Sequence, residues 1–338
     1  MGLISAIDSK LLSLDELYFW QRLRTKSGSM QLFHQGWGDQ KTIDVVDKLW
    51  SSSDAAADAA ISWSSFKVHG TGAGLHYGSF QSERYAPWLP KESRTVKFLL
   101  VTPAGGTNDC ALLIAPTSRE TDLRRRIPMA VDLAAKGITS MLLDNPFMGD
   151  RKPDKQFETV ISRFSDYPLL TAACVEENRT ALKWMKAQGL TRLCATGVSQ
   201  GGFTAAAAAV RMDFPITVVA VAAPHSAESV VIDGIPGRLC AWDALDRTCP
   251  SGGPARQHMQ HIFDRTRLDR MRVPTNGTRM HLFAARRDRY VPAHSYQRLE
   301  KHWAAHGAVE WSAGGHVSTI LERHRYQRVI EDSMKGFV

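Results

Sequence analysis

The chain has 338 residues, 43% of them hydrophobic and 22% charged, with a formal net charge of +8. Such proportions belong to a soluble globular protein, and the length suits one α/β domain with additions. No apolar run is long enough to span a bilayer, and the five cysteines form neither a disulfide framework nor a zinc-type spacing.

Residues 1–65 read as a helical extension packed on the core, with Leu17 to Trp20 and Val45, Val46, Leu49 and Trp50 as apolar faces. Leu11, Leu12 and Leu14 are followed at once by Asp15 and Glu16, which leaves no signal-peptide core. Ala6 stands where an N-myristoylation signal needs Ser or Thr. The expectation is a soluble intracellular protein, cytoplasmic or organellar (mitochondrial, for instance), with no metal and no cofactor. Only Cys240 and Cys249 are near each other in sequence, and their spacing allows a bridge without indicating one.

From residue 66 the pattern is that of a single domain running to 338. The glycine-rich stretch 70–78 predicts a hairpin between two antiparallel strands. Val96 to Val101 and Ala111 to Ala115 are β-rich runs. Leu123 to Lys136 predicts a helix ended by Gly137, and Ile138 to Leu143 the next strand. A long helix over about 166–188 ends at Gly189; strands follow at Arg192 to Thr196 and Ile216 to Ala222. Strands alternating with helices predict a mostly parallel central sheet with helices on both faces, and ligands then bind at the carboxyl ends of the strands. Residues of about 225–272 interrupt the alternation with many glycines and prolines and read as a lid insertion over a pocket.

The most informative stretch is Gly197-Val198-Ser199-Gln200-Gly201, which fits G-x-S-x-G. A short apolar strand precedes it, and Gly202-Phe203-Thr204 with the alanine run after it predicts a helix. Strand, tight turn and helix in that order make a nucleophile elbow, and this predicts an α/β-hydrolase fold with Ser199 as nucleophile. The base and acid should follow in the order acid, then histidine. Arg279 to Ala285 reads as a buried strand running into Arg286-Arg287-Asp288-Arg289-Tyr290-Val291-Pro292. Ala293 to Ala305 predicts a helix and Ala308 to Trp311 a last strand, followed by Gly314-Gly315-His316. Asp288 and His316 are therefore the expected acid and base. His225, at the end of a strand, is the competing base, and Glu228 or Asp233 the fallback acid. His302, His306 and His324 fall on predicted helices and read as surface residues.

Half of an oxyanion hole should come from the backbone N–H of Gln200. The other half should come from the loop after Ala115, through Thr117 or Ser118, since Pro116 has no N–H. Basic residues crowd the same edge of the sheet: Arg124, Arg125, Arg126, Arg151 and Lys152 are candidate substrate-binding groups. Arginine forks suit phosphate and carboxylate, so an ester with an anionic part, such as a phospholipid, is one expectation, with peripheral contact at an anionic membrane surface. Their rival role is pairing with acids such as Asp122, Asp144 and Asp150. Nucleic acid is not an expected partner, because the basic residues are not interleaved with aromatics in any binding motif.

The chain resembles the alpha/beta hydrolase domain-containing protein 18 family over most of its length. The resemblance is carried by Leu32-Phe33-His34-Gln35-Gly36-Trp37-Gly38, Arg124-Arg125-Arg126, Asp144-Asn145-Pro146-Phe147 and Arg151-Lys152-Pro153. It continues in Thr196-Gly197-Val198-Ser199-Gln200-Gly201-Gly202, Asp288-Arg289-Tyr290-Val291-Pro292 and Gly314-Gly315-His316-Val317-Ser318. It implies an α/β-hydrolase fold and a Ser-Asp-His site, here Ser199, Asp288 and His316. Two departures stand out: Ala115-Pro116-Thr117-Ser118-Arg119 where the family usually shows Ala-Gly-Thr-Gly-Asp, and Gln200 where it often has Met. The expected activity is a serine esterase or lipase-like acyl hydrolase on a small-molecule or lipid ester. The alternatives are a carbohydrate acetyl esterase, suggested by the Ser-Gln-Gly-Gly elbow, and an inactive hydrolase fold used for binding.

Overall fold

Strand β4 (Cys110–Ala115) is buried along its whole length, and its residues alternate between two hydrophobic cores. Ala111, Leu113 and Ala115 join one core; Cys110, Leu112 and Ile114 join the other. A strand buried on both faces needs no polar alternation, which is why this segment reads as an unbroken apolar run. The structure, a computed structural model of the chain, describes residues 13–23, 31–106 and 109–335. Residues 1–12, which carry Ala6, Leu11 and Leu12 of the signal-peptide and myristoylation expectations, lie outside these.

Nine strands form one sheet in the order β1-β2-β3-β5-β4-β6-β7-β8-β9. The first pair, β1 (Ser62–Val68) and β2 (Gly74–Gln81), is the expected hairpin. With β3 (Thr95–Thr102) these strands are antiparallel, as is β3 on β5 (Thr139–Leu143). From β5 onward the pairing is parallel, through β4, β6 (Arg192–Val198), β7 (Thr217–Val221), β8 (Arg279–Ala285) and β9 (Gly307–Ser312). The sheet starts at Ser62, so the last residues of the expected N-terminal extension belong to its edge strand.

Eleven α-helices are described: α1 (Leu14–Leu23), α2 (Gln40–Trp50), α3 (Ile127–Ala134), α4 (Asp166–Ala187), α5 (Gln200–Ala209), α6 (Ala227–Val231), α7 (Trp242–Arg247), α8 (Ala255–Asp264), α9 (Ala293–Trp303), α10 (His316–Leu321) and α11 (Arg323–Lys335). Residues of α2, α4 and α5 join the core on one face of the sheet, those of α3 and α11 the core on the other. Helix α3 starts four residues later than its sequence pattern suggests. Pro128 lies in its first turn, where a missing N–H costs nothing. No helix among the described residues is long and apolar enough to cross a membrane.

The order reverses at β4. The chain goes from β4 to β5 on one side, then crosses over α4 to β6 on the other. In such sheets ligands bind at a switch point of this kind, outside the carboxyl ends of the strands, here those of β4 and β6.

The segment 225–272 forms α6, α7, α8 and two short 3-10 turns between β7 and β8. Leu245 and Met259 are fully buried there. Leu32 to Gly38 ties the insertion down: Leu32 N–H donates to Leu239 O at 2.7 Å, Ala241 N–H to Leu32 O at 2.9 Å and Trp37 Nε1–H to Leu245 O at 2.8 Å. All five cysteines are free thiols, Cys240 and Cys249 among them.

Candidate active site

Ser199 stands between β6 and α5 with φ 55° and ψ −117°, a region that L-residues rarely adopt. Its N–H donates to Val221 O at 2.8 Å, which locks the turn to the end of β7. The flanking glycines are required by close approach. A Cβ on Gly197 would lie 2.4 Å from the Gly201 carbonyl carbon, and one on Gly201 would lie 2.8 Å from both Ala115 O and Pro116 O. The elbow is thus packed directly on the loop after β4. Gly201→Ala should push these two loops apart and lower Ser199-dependent activity by about 10²-fold, readable as a slower reaction with a fluorophosphonate probe.

Asp288 follows β8 and is buried, as is His316 after β9. His316 Nδ1 lies 2.7 Å from Asp288 Oδ2. That carboxylate accepts three further hydrogen bonds: Oδ1 from the N–H groups of Tyr290 and Val291, each at 2.7 Å, and Oδ2 from the Tyr296 hydroxyl at 2.5 Å. Four donors fill its acceptor capacity. An ionised carboxylate only accepts, so Nδ1 carries the hydrogen and Nε2 is the free lone pair. The Tyr290 ring stacks on the imidazole at 5.1 Å between centroids, fixing its plane. Burial opposes a positive charge on His316, but the charge and hydrogen bond of Asp288, helped by Asp15, outweigh it and raise the pKa above its ordinary value. Burial, together with the charge and hydrogen bond of Asp288, holds the Tyr296 hydroxyl well above its own, so Tyr296 remains a donor.

The other acid and base candidates are engaged elsewhere. His225 accepts or donates at Nδ1 with Ser295 Oγ at 2.8 Å. Burial chiefly, with Arg267, Arg298 and His294 adding and Asp269 opposing, pushes it down to about 4. Glu228 accepts from Gln260, and Asp233 pairs with His294 at 3.3 Å. His302, in α9, bonds Met271 O at 2.8 Å.

Two expectations need correction. The Thr117 N–H, one candidate oxyanion donor, donates to Glu120 Oε2 at 3.2 Å, so the loop has turned that amide onto its own carboxylate. This leaves the N–H groups of Ser118 and Gln200. The basic cluster also divides. Arg126 is buried and spans the ends of β4 and β5, donating to Ile114 O and Leu143 O at 2.5 Å each and to Glu120 Oε1 at 2.6 Å. Arg151 is wholly buried and grips Glu177 through both nitrogens, at 2.9 and 2.6 Å, with further bonds to Ser93 O and Asp144. Neither guanidinium is free for a substrate. Arg124 is exposed and pairs with Asp122, Arg125 is exposed, and Lys152 donates to Gln156 O at 2.8 Å. The Asn-Pro-Phe block has a scaffold role too, since Asn145 Nδ2 donates to Thr117 O at 2.6 Å and steadies the loop after β4.

Three residues around the site escaped sequence reading. Tyr296 sits eight residues after Asp288, within reach of a helix-periodicity argument. Glu120 lies six residues from Arg126, farther along the chain than Asp122, and carries no signal that would single it out. Asp15 has no local signal at all, being 301 residues from the amide it binds.

A mixed sheet with parallel strands, a serine at a strained strand-to-helix turn and an Asp–His pair after later strands define an α/β hydrolase. The match to the family model for alpha/beta hydrolase domain containing 18 runs over residues 30–252 and 251–335, and the chain belongs to that family. Among solved structures, the acetyl xylan esterase from Paenibacillus sp. R4 superposes with a TM-score of 0.62 at 15% identity, covering 98% of this chain and 99% of that one. Acetyl xylan esterase 1 from Thermoanaerobacterium sp. JW/SL YS485 gives 0.62 at 14% identity, covering 87% and 99%. A cold-adapted esterase from an Arctic intertidal metagenomic library gives 0.52 at 13%, covering 80% and 99%. At such identities the likeness is one of fold.

Proposed function

We propose that the protein is a carboxylic ester hydrolase working through Ser199, His316 and Asp288. The observation that carries this reading is the Asp288–His316 hydrogen bond, taken together with a serine held at a strained elbow. Ser199 Oγ attacks the ester carbonyl carbon while His316 Nε2 takes the hydroxyl proton. The carbonyl oxygen becomes an oxyanion facing the N–H of Gln200 and the loop after β4. Collapse breaks the bond to the leaving alkoxide, which receives the proton from His316, and an acyl-serine remains. Water, deprotonated by the same nitrogen, then releases the acid and restores Ser199.

With Arg126 and Arg151 committed to the scaffold, the anionic-ester reading rests on Arg124, Arg125 and Lys152 at the surface. A small acyl group on a neutral substrate is the second reading, favoured by the Ser-Gln-Gly-Gly elbow and by the fold shared with acetyl xylan esterases. Rates on p-nitrophenyl esters of increasing acyl length separate the two, a steep fall beyond acetate favouring acetyl ester chemistry. Reaction with a fluorophosphonate probe in the wild type, absent in Ser199→Ala, tests the mechanism itself.

The reaction needs His316 neutral. Its pKa is raised, so kcat/KM should fall as pH drops through a value above 6.5, the ordinary one for histidine. Asp288→Asn removes the largest favourable charge and should move that limb to lower pH in whatever activity remains. A pH profile with no acid limb above pH 6.5 would contradict the assignment of His316 as base.

A further inference from the structure

Helix α10 begins at His316 itself, and the residue in its cap position, Gly315, has no side chain to accept from the first amides. The acceptor comes from the far end of the chain. Asp15, on α1, is fully buried. Its Oδ2 accepts from His316 N–H at 2.9 Å and from Arg289 N–H at 2.9 Å, and its Oδ1 accepts from Val317 N–H at 2.8 Å. One carboxylate therefore joins the residue after Asp288 to His316 and the residue after it. Glu16, next on α1, pairs with Arg289 at 3.1 Å and Arg238 at 3.3 Å, and Phe19 is buried. The helix is thus moored on the loop that carries Asp288.

We propose that Asp15 is a positioning residue of the active site, a clamp from the N-terminal segment that holds the acid loop and the base loop in register. This deepens the ester-hydrolase reading and rests on it. The acid and the base stand on loops after different strands, β8 and β9, and a shift between these loops changes how the imidazole faces Ser199. Burying a carboxylate is costly unless its oxygens are hydrogen bonded, and three amides from the two loops offset that cost only while the loops keep this spacing. Gly315 fits the same account. A Cβ there would lie 2.6 Å from Asp15 Oδ2 and 2.9 Å from its Cγ and Oδ1, whereas the Gly315 backbone, at φ −98° and ψ −166°, is not in the left-handed region. Glycine is needed at 315 because Asp15 lies against it.

The test uses the full chain and p-nitrophenyl acetate. The charged and titratable groups about the pair are Asp15 and Glu16 from α1, Asp288, Arg289 and Tyr290 from the loop after β8, Tyr296 from α9 and Arg238 from the insertion. Asp15→Asn keeps the shape but removes the charge and turns an NH2 toward one of the amides. It should lower kcat by about 10²-fold with little change in KM. It should also move the acid limb of kcat/KM to lower pH, since a negative charge that favours the imidazolium is gone. Gly315→Ala should give a similar fall by displacing the carboxylate. In an Asp15→Ala background, Gly315→Ala should add little, because the atoms it strikes are absent. Wild-type kcat in Asp15→Asn or in Gly315→Ala overturns the clamp. So does a kcat loss with the acid limb unmoved, which is a plain folding defect, or two losses that multiply. If Asp15→Asn does not fold, Gly315→Ala and its double variant decide the matter by the same readings. Ser199→Ala separates the two failures: hydrolysis surviving in Ser199→Ala sinks the ester-hydrolase reading, whereas loss in Ser199→Ala with none in Asp15→Asn and Gly315→Ala sinks the clamp alone.

Discussion

Ser199→Ala and His316→Ala should each lower the kcat for ester hydrolysis by at least about 10⁴-fold, and Asp288→Ala by somewhat less. The double variant Ser199→Ala/His316→Ala should cost scarcely more than either alone, because the nucleophile is useless without its base and the base has no other task. Each variant should fold, since Ser199 is half-buried and His316 packs on Tyr290 at the rim of the sheet. Asp288 is the exception: it anchors two loop amides and Tyr296, so its removal should also lower the melting temperature. Steady-state rates on p-nitrophenyl acetate, with circular dichroism on the same samples, check both statements. A Ser199→Ala/His316→Ala loss equal to the product of the single losses would show that the two residues do not act as a unit.

Arg151→Ala should destabilise the protein by about 3–5 kcal/mol, read as a lowered urea midpoint at unchanged slope. The guanidinium is wholly enclosed, and its removal leaves Glu177 buried without a counter-charge. Asp144 is the softer partner: burial pushes its carboxyl up to about 7 against the pull of Arg151, so it can become neutral when the arginine goes. The joint replacement Arg151→Met/Glu177→Leu should therefore lose much less than Arg151→Ala, since it removes both buried charges of the tightest pair. A rise in KM for anionic esters at unchanged stability would instead restore Arg151 to the substrate site.

These two networks mark where sequence reading succeeded and where it stopped. The sheet was legible because its strands carry local signals. Ala111 to Ala115 is a β-rich run and forms a strand, and the glycines around Ser199 announce a turn into which no side chain fits. Asp288 and His316, which lie 2.7 Å apart, each follow a recognisable strand, so position along the chain stands in for position in space. The arginines show the limit. Arg124, Arg125 and Arg126 are adjacent, yet two face solvent and one spans the ends of β4 and β5. Direction around a turn that precedes a helix start has no periodicity to read. The same holds for Thr117, whose amide is taken by a glutamate three residues on.

The sequence by itself determined the strand-and-helix alternation, the elbow turn and the two loops that carry Asp288 and His316, because each is written within some ten residues of chain. Only the tertiary structure decided which arginines are scaffold, that Glu120 takes the Thr117 amide, and that Asp15 joins the Asp288 loop to His316. Those outcomes depend on hydrogen-bond partners up to 301 residues away, and a carboxylate chooses its donors by distance in space and by burial, neither of which the order of residues contains.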